Sequence, residues 1–562
     1  MLLPKLFQQY RNLKRYRQII KILMNYGFAE ILERLNLTYY FEKTKQVFRP
    51  PKERKRIIRL SLPQRIRLAC EKLGPTFVKL GQIASTRPDL FPPEFIRELQ
   101  ELQDQVAPLE FSVIKSVVEQ ELESPLENVF SSFEEKSIAS ASIAQVHQAK
   151  TWEGERVVVK VQRPDSEEII TTDLAILLDL TSLLERRLPQ SRLYQPRRIV
   201  EEFTKTMERE IDFLNEGRNI ERFARNFAGD SNIYIPKVYW NLSTSKVLTL
   251  EKIEGIKISE IEKLKEAGLD PKIIAARGAE AILKQIFIHG FFHADPHPGN
   301  IFVLEDNVLA LLDYGMIGRI DPELMDLLAG LFVAVMKKDI SNLVKIFLKI
   351  GIVREEINER EFRAEVREML ERYYAVPLNK IEIRKTAEEI MSLARHYAVR
   401  LPADLVLLGK ALSTTQGLVL LLNPEFNFVE TAEPFLRELM KRQFSLTRLI
   451  KDFSKEFEAL VSLIKILPEE LEKIIKRLAA GQLKIEFEHK DLRELIEVVN
   501  RASNRLAFAL IIAGLIVASS LIMQLNKGPL ILGFPILGVF GFILAGILGL
   551  WLIFSILRSG RL

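Results

Sequence analysis

The spacing of apolar and polar positions divides the chain into a helical front, a short β-rich stretch, a long helical body and an apolar tail. Residues 60–125 carry apolar positions at helical spacing, and Pro63, Pro75, Pro88, Pro92 and Pro93 cut them into short helices. Residues 128–163 change character. The run VVVKVQ at 157–162 is β-branched, and Glu153, Gly154 and Glu155 before it form a hairpin turn. Helical spacing returns over 164–230, two further strands are predicted at 238–240 and 247–250, and the chain is mostly helical from Ile258. Short strands at 301–304 and 308–312 interrupt it, around a turn at 305–307. No internal repeat is evident.

The tail is the sharpest shift. Residues 506–525 are 20 positions without a charge, and residues 530–557 are 28 more, joined by Asn526, Lys527, Gly528 and Pro529. Each run is long enough to cross about 30 Å of hydrocarbon as a helix. The short join predicts an antiparallel pair, which Gly514, Gly533, Gly538, Gly541, Gly546 and Gly549 would let approach closely. Arg501 and Arg505 flank one end and Arg558 and Arg561 the other, while the join holds only Lys527. The positive-inside rule therefore puts both ends on the cytoplasmic side of the cell membrane. Residues 431–500 read as an amphipathic, charged connector, with Leu and Ile spaced among Lys, Arg and Glu over 471–498.

Length and charge add bounds. A chain of 562 residues needs several cores, and 48% hydrophobic with 27% charged residues excludes a largely disordered protein. A single cysteine, Cys70, rules out an internal disulfide. The net charge of +6 gathers partly at Lys5, Arg11, Lys14, Arg15, Arg17 and Lys21, and again at Lys52, Arg54, Lys55, Arg56 and Arg59. With no nucleic-acid-binding module in sight, an anionic membrane lipid surface is the expected partner of these basic helices in residues 1–60.

The candidate chemistry centres on HADPHPGN, His293 to Asn300. Two prolines and a glycine make this a rigid loop. Asp295 lies on it, Asn300 five residues on, and Asp313-Tyr314-Gly315 follows the predicted hairpin. In protein kinases a carboxylate, an amide and a second carboxylate in this order face the acceptor and hold Mg²⁺ on the phosphates of ATP. Oxygen donors suit that hard cation. A transition-metal site at His293 and His297 is the weaker alternative, because the prolines break any shared helical face.

Upstream, Lys160 ends the valine run where a kinase places its phosphate lysine. Glu210, Asp212 and Glu216 offer it carboxylate partners. Glu210 and Glu216, six apart on one predicted helix, point about 120° apart and so face different partners. Ala139, Ser140, Ala141, Ser142 and Ile143 stand where kinases carry a glycine-rich turn; without glycine this loop should be stiffer, with amides and the Ser140 and Ser142 hydroxyls available to phosphate. Lys79 and Gln82, at i and i+3 of a predicted helix, read on spacing alone as a solvated surface pair.

Together KLGQ, STRPDLFP, ASASIAQVH, VVVKVQRP, EIDFLNEGRN, FFHADPHPGN and LDYG resemble the UbiB/AarF (ADCK-type) atypical kinases, over residues 64–427. The resemblance implies an α+β, two-lobed kinase-like fold: a helical KxGQ extension (61–126) over the nucleotide site, an N-lobe (127–255), a helical C-lobe (256–430) and a C-terminal transmembrane hairpin (501–562). It implies ATP and Mg²⁺ as cofactors, Asp295, Lys160 and Glu216 as catalytic residues, and Asn300 and Asp313 as metal ligands. It adds Glu251 and Ile253 to the nucleotide contacts, pairs Lys79 with Glu210 or Asp212, and makes Glu216 the partner of Lys160. The implied role is in isoprenoid quinone biosynthesis, with quinone precursors and biosynthetic proteins as partners, as an ATPase or small-molecule kinase; a nucleotide-sensing scaffold is the alternative. Gly217 where alanine is usual, and DYG for DFG, are departures.

Overall fold

The computed structural model describes residues 3–35, 57, 59–102, 106–188, 196–353, 358–374, 382–443, 492–524, 529–531 and 534–558. They belong to two compact units, Met1–Ile450 and Lys451–Leu562. Residues 444–491 of the expected connector lie outside the described residues, as do Lys52, Arg54, Lys55 and Arg56, while its two ends are helical, in Phe428–Gln443 and Leu492–Gln524.

In the first unit, helix α1 (Leu3–Asn25) lays Ile19 and Ile22, and the turn after it lays Tyr26, against α2 (Leu62–Leu73) and α3 (Pro75–Ser85). Helix α2 starts at a capping box, Ser61 with Gln64, and stops at Gly74, whose φ of 103° no β-carbon favours; Pro75 then opens α3. Arg15 does not belong to a lipid-facing stripe. It donates to both Asp173 oxygens at 2.6 and 2.8 Å and to the Leu73 carbonyl at 2.7 Å, because the buried Asp173 needs a counter-ion.

The small lobe is an antiparallel sheet. Strands β1 (Ser132–Phe133), β3 (Ala144–Lys150), β4 (Arg156–Gln162) and β6 (Val247–Glu251) pair in that order, with β2 (Ala139–Ser140) beside β3; β5 (Ile233–Tyr234) belongs to a second sheet. The two-residue period of β4 buries Val157, Val159 and Val161 against Ile114 and Val118, so Val158 and Lys160 point the other way. Helix α4 (Ser166–Arg187) follows the sheet, then α5 (Pro196–Ile211) and α6 (Phe213–Asn226). The break between α5 and α6 corrects the single helix expected here: Asp212 leaves helical geometry and its Oδ1 accepts from Leu214 N at 3.1 Å, capping α6. The strand expected at 238–240 is also absent. Val238 makes one isolated bridge to Leu250, and Trp240–Leu242 form a 3₁₀ turn.

In the large lobe, β5 pairs with β10 (Leu309–Leu311), then β9 (Ile301–Val303) and β7 (Ile256–Lys257). Strand β8 (Phe291–His293) pairs with β11 (Ile317–Arg319). Their core joins Phe223, Phe291, Phe292 and Tyr314 to Ala411, Leu418 and Leu422 of α8 (Ala403–Leu422), reached through α7 (Pro271–Leu283). Helix α8 is apolar and long enough to cross a membrane, yet it buries Thr415 and Gln416 as well as its apolar residues, and Gln416 accepts from Ile383 N at 2.8 Å. Such side-chain pairing marks a core helix of the lobe.

The second unit pairs α9 (Leu492–Gln524) with α10 (Ile536–Arg558). Helix α10 starts six residues later than the uncharged run, because Leu530–Ile531 and Phe534–Pro535 form a small hairpin first. Of the six glycines expected to line the contact, Gly538 and Gly541 do so, against Met523 and Ser519; Gly514, Gly546 and Gly549 face open space, and Gly533 lies outside the described residues. Leu506, Leu510, Val517, Leu537, Ile547 and Leu550 are each more than half exposed. Apolar surface of this extent requires a non-aqueous neighbour, and the unit is membrane-associating.

Candidate active site

Lys160 and Glu216 meet across the small lobe, Nζ to Oε2 at 2.7 Å. Strand β4 points the lysine inward and α6 supplies the carboxylate. Burial works against the lysine's charge, but Glu216 and then Asp313 push its ammonium above the ordinary range. Burial pushes the Glu216 carboxyl up, with Lys160 opposing. Gly217 follows Glu216 where the Trp240 ring leaves no room: a β-carbon there would sit 2.8 Å from the indole. This explains the glycine in EGRN.

Lys79, on α3, reaches Glu210 at 3.1 Å, and both side chains are largely buried. The solvated reading of Lys79 is thereby corrected. Spacing within one helix cannot show that a second helix packs across it. Asp212 is not the partner, since its carboxylate caps α6 and takes Arg218 at 3.3 Å. Gln82 donates to the Leu102 carbonyl at 3.2 Å. Gly81 between them is needed because a β-carbon would stand 2.2 Å from Leu102 Cδ1. The KLGQ helix is thus seated on its own extension by one face and presents Lys79 from another.

The HADPHPGN loop is held by its own histidines. Asp295 N donates to His293 Nδ1 at 3.2 Å, and His293 Nε2 lies 3.2 Å from the Leu312 carbonyl. Nδ1 as acceptor and Nε2 as donor fix one tautomer, and His293 ties the loop to the far end of the hairpin. His297 Nδ1 accepts from Gly299 N at 3.1 Å and shapes the turn before Asn300. Leu312 N then donates to Asn300 O at 2.8 Å, extending the β9–β10 ladder by one pair. Asn300 and Asp313 therefore stand at the same open end of the hairpin. Asp313 has φ 57°, a left-handed conformation that Asp tolerates, and its Oδ1 accepts from Gly315 N at 3.3 Å. Burial opposes its charge, but Lys160 and, less strongly, Lys79 hold the Asp313 carboxyl below its ordinary value. One carboxylate and one amide oxygen fit a Mg²⁺ ion that takes its other ligands from phosphates and water. Tyr314 is fully buried against Phe223, its hydroxyl donating to Leu311 O at 3.0 Å, so the DYG departure leaves no unpaired group.

The alanine loop is fixed from outside. Arg163 donates to Ala141 O at 2.8 Å and to Ser140 Oγ at 2.7 Å, while Gln145 Oε1 accepts from Leu109 N at 2.8 Å. Ser142 is buried, so the expectation that both hydroxyls lie open to phosphate is corrected. Beside it Ile143 is packed under Ile170 and Phe203, and Ala139 pairs with Val146 in the sheet. Glu251 ends β6, with its carboxylate taken by Tyr234 at 2.7 Å and by Lys237 N at 3.1 Å; Ile253 lies in the segment beyond. Any contact from Glu251 to a nucleotide is thus left to its main chain.

Four further side chains that hold the candidate site were not singled out from the sequence. Gln285, in a π-helical turn (Lys284–Ile288), accepts from His293 N at 2.9 Å. Such turns recur at functional sites. Asn219 donates to Tyr314 O at 3.1 Å, and Arg163 locks the loop. Lys410, on α8, reaches Asp295 Oδ1 at 2.9 Å. Arg163 and Asn219 lie inside the quoted motifs VVVKVQRP and EIDFLNEGRN, whereas Gln285 and Lys410 carry no local signal.

Comparison with known proteins agrees with this geometry. Residues 101–347 match the ABC1 atypical kinase-like domain, residues 366–427 the UbiB helical domain and residues 490–558 the ABC1/UbiB kinase-like C-terminal domain. An uncharacterized protein from the hydrogenase 1 5′ region of Clostridium pasteurianum is 33% identical over 98% of this chain and 99% of its own. A probable protein kinase UbiB of Pseudomonas aeruginosa is 37% identical over 75% of this chain and 80% of its own. A solved structure described as the complex of Rv3197 with erythromycin, from Mycobacterium tuberculosis, is 24% identical with a TM-score of 0.45, over 64% of this chain and 92% of that one. The family models and the Clostridium and Pseudomonas relatives agree with the two-lobed site: the chain belongs to the ABC1/UbiB atypical kinase-like family.

Proposed function

We propose that the chain is an ATP- and Mg²⁺-dependent ATPase or small-molecule kinase, working at the cytoplasmic face of the membrane in support of isoprenoid quinone biosynthesis. The observation that carries this reading is the Lys160–Glu216 pair at 2.7 Å beside Asp313, the arrangement an active kinase-like site needs to hold phosphates. Asp313 and Asn300 would hold Mg²⁺, which bridges phosphate oxygens and offsets their charge. Lys160, oriented by Glu216, binds the phosphates, and main-chain groups of the alanine loop cover them. Asp295 orients the attacking water or acceptor hydroxyl. By the family resemblance the helix that carries Lys79, held by Glu210, would lie over the nucleotide site where a protein substrate would otherwise dock, which favours water or a small acceptor. The quinone role draws on the UbiB name of the Pseudomonas relative and on the apolar hairpin, which would keep the site near lipid-soluble precursors.

The test is Mg²⁺-dependent ATP hydrolysis by the detergent-purified full chain. Asp313→Asn should abolish it. Unchanged turnover in that variant would sink the metal assignment.

A further inference from the structure

Lys410 is the one side chain of the helical region, outside every motif of the kinase-like part, that reaches a catalytic-loop carboxylate among the described ion pairs. Its Nζ lies 2.9 Å from Asp295 Oδ1, and its side chain is 30% exposed against 36% for Asp295, so the pair is accessible to solvent rather than sealed in the core. Its position is built. Helix α8 is pinned at its start, where Asp404 Oδ1 accepts from Arg319 N at 2.9 Å on β11, and near its end, where Gln416 takes Ile383 N. The residue after Lys410, Ala411, is completely buried in the core that also holds Phe292 and Ala294. Farther along, Thr415, Leu418 and Val419 share a small cavity with His293 and Pro296, which flank Asp295. The helix is packed directly under the catalytic loop.

The other lysines nearby already have roles: Lys160 is assigned to the bound phosphates and Lys79 to the pair over the site. Lys160 pairs with Glu216 and Lys79 with Glu210. A phosphoryl group in transit carries spread negative charge, and the atom attacking it must touch both Asp295 and the phosphorus. A cation within hydrogen-bond distance of Asp295 is therefore within reach of that phosphoryl group.

Resting on the function proposed above, we infer that Lys410 is a catalytic residue of the same site, donating from the helical domain to the transferring phosphoryl oxygens. The acceptor oxygen forms a bond to the γ-phosphorus. The bond from that phosphorus to the β,γ-bridging oxygen breaks, its electron pair leaving with ADP. The acceptor proton passes to Asp295. Lys410 keeps its proton and holds the charge that develops. Before nucleotide binds it pairs with Asp295, which keeps both groups poised. On this basis the kinase-like lobes alone lack a complete site, and the helical region is part of the catalytic machinery.

The experiment compares wild type, Lys410→Met, Lys410→Gln and Lys410→Arg as detergent-purified full chains. Each is assayed for kcat and KM for ATP, and for binding of Mg·ADP with and without aluminium fluoride. Removal of one preorganised donor to a transition-state oxyanion lowers kcat about 10²–10³-fold. That loss is expected for Met and Gln, with ADP affinity changed less than about threefold and the gain in affinity from aluminium fluoride lost; Arg should recover part of both. Gln answers for Met should Met not fold. A wild type without Mg²⁺-dependent hydrolysis overturns the function itself. An active wild type with full kcat in the Met or Gln variant, or with kcat raised because the Asp295 contact is inhibitory, overturns only the role of Lys410.

Discussion

Replacing Lys160 by Met isolates the energetics of the central ion pair. Glu216 is 7% exposed, and the substitution removes the ammonium 2.7 Å from its carboxylate. Removing one partner of a fully buried pair costs about 3–5 kcal/mol. The Lys160 side chain keeps 25% of its surface exposed, so water screens the site and the expected cost falls to about 2 kcal/mol. The cost should depend on pH in a definite direction. Burial already pushes the Glu216 carboxyl up, Asp313 adds to this, and Lys160 alone among its charged neighbours opposes it strongly. Without Lys160 the folded-state pKa climbs further above the unfolded value. The folded chain then binds more protons than the unfolded chain across that interval, so stability falls as pH rises through it and returns as pH drops toward the ordinary carboxylate range. Thermal midpoints of detergent-purified Lys160→Met and of the Lys160→Met/Glu216→Gln double variant give the assay. At pH 8 the single variant should melt well below wild type and the double variant should regain most of the loss. At pH 5.5 the two should approach each other. A double variant as unstable as the single one at pH 8, or a gap independent of pH, would refute the stranded-carboxylate account. Neither variant should hydrolyse ATP.

Three smaller tests follow from the packing. Cys70 is buried and desolvation pushes its thiol up to about 12, so it should resist maleimide at neutral pH until the chain is unfolded; because the folded pKa is the higher one, its stabilising contribution is present below about pH 9 and is lost as pH rises toward 12. Asp212→Ala removes the cap of α6 and should cost about 1 kcal/mol, measured by thermal or denaturant unfolding, while leaving the Lys79–Glu210 pair in place. In the apolar hairpin, Gly538→Ile must displace Met523 and should lower the disulfide yield between Ser519→Cys and Gly541→Cys in a Cys70→Ala background, whereas Gly546→Ile, facing open space, should not.

Much of the site was legible as a sequence. The β-branched run marked the strand that carries Lys160, the prolines of HADPHPGN announced a rigid loop, and two uncharged runs announced the hairpin. These are properties of local backbone preference and of side-chain period, which neighbours in sequence decide. Where sequence reading missed, a distant element was responsible. Trp240 dictates Gly217, Leu102 dictates Gly81, and the buried Asp173 takes the Arg15 guanidinium. The α5–α6 break at Asp212 was missed because its cap is a single side-chain bond inside an otherwise helical pattern.

By itself the sequence determined the kinase-like order of Lys160, Asp295, Asn300 and Asp313 and the apolar tail. Only the tertiary structure decided the pairings. It chose Glu210 over Asp212 for Lys79, bonded Gln285 to the strand before Asp295, and brought Lys410 to within 2.9 Å of Asp295 from more than a hundred residues away. Charge pairs of this kind have no sequence period. They exist because burial makes each lone charge costly, and the fold alone determines which opposite charge is near enough to offset it.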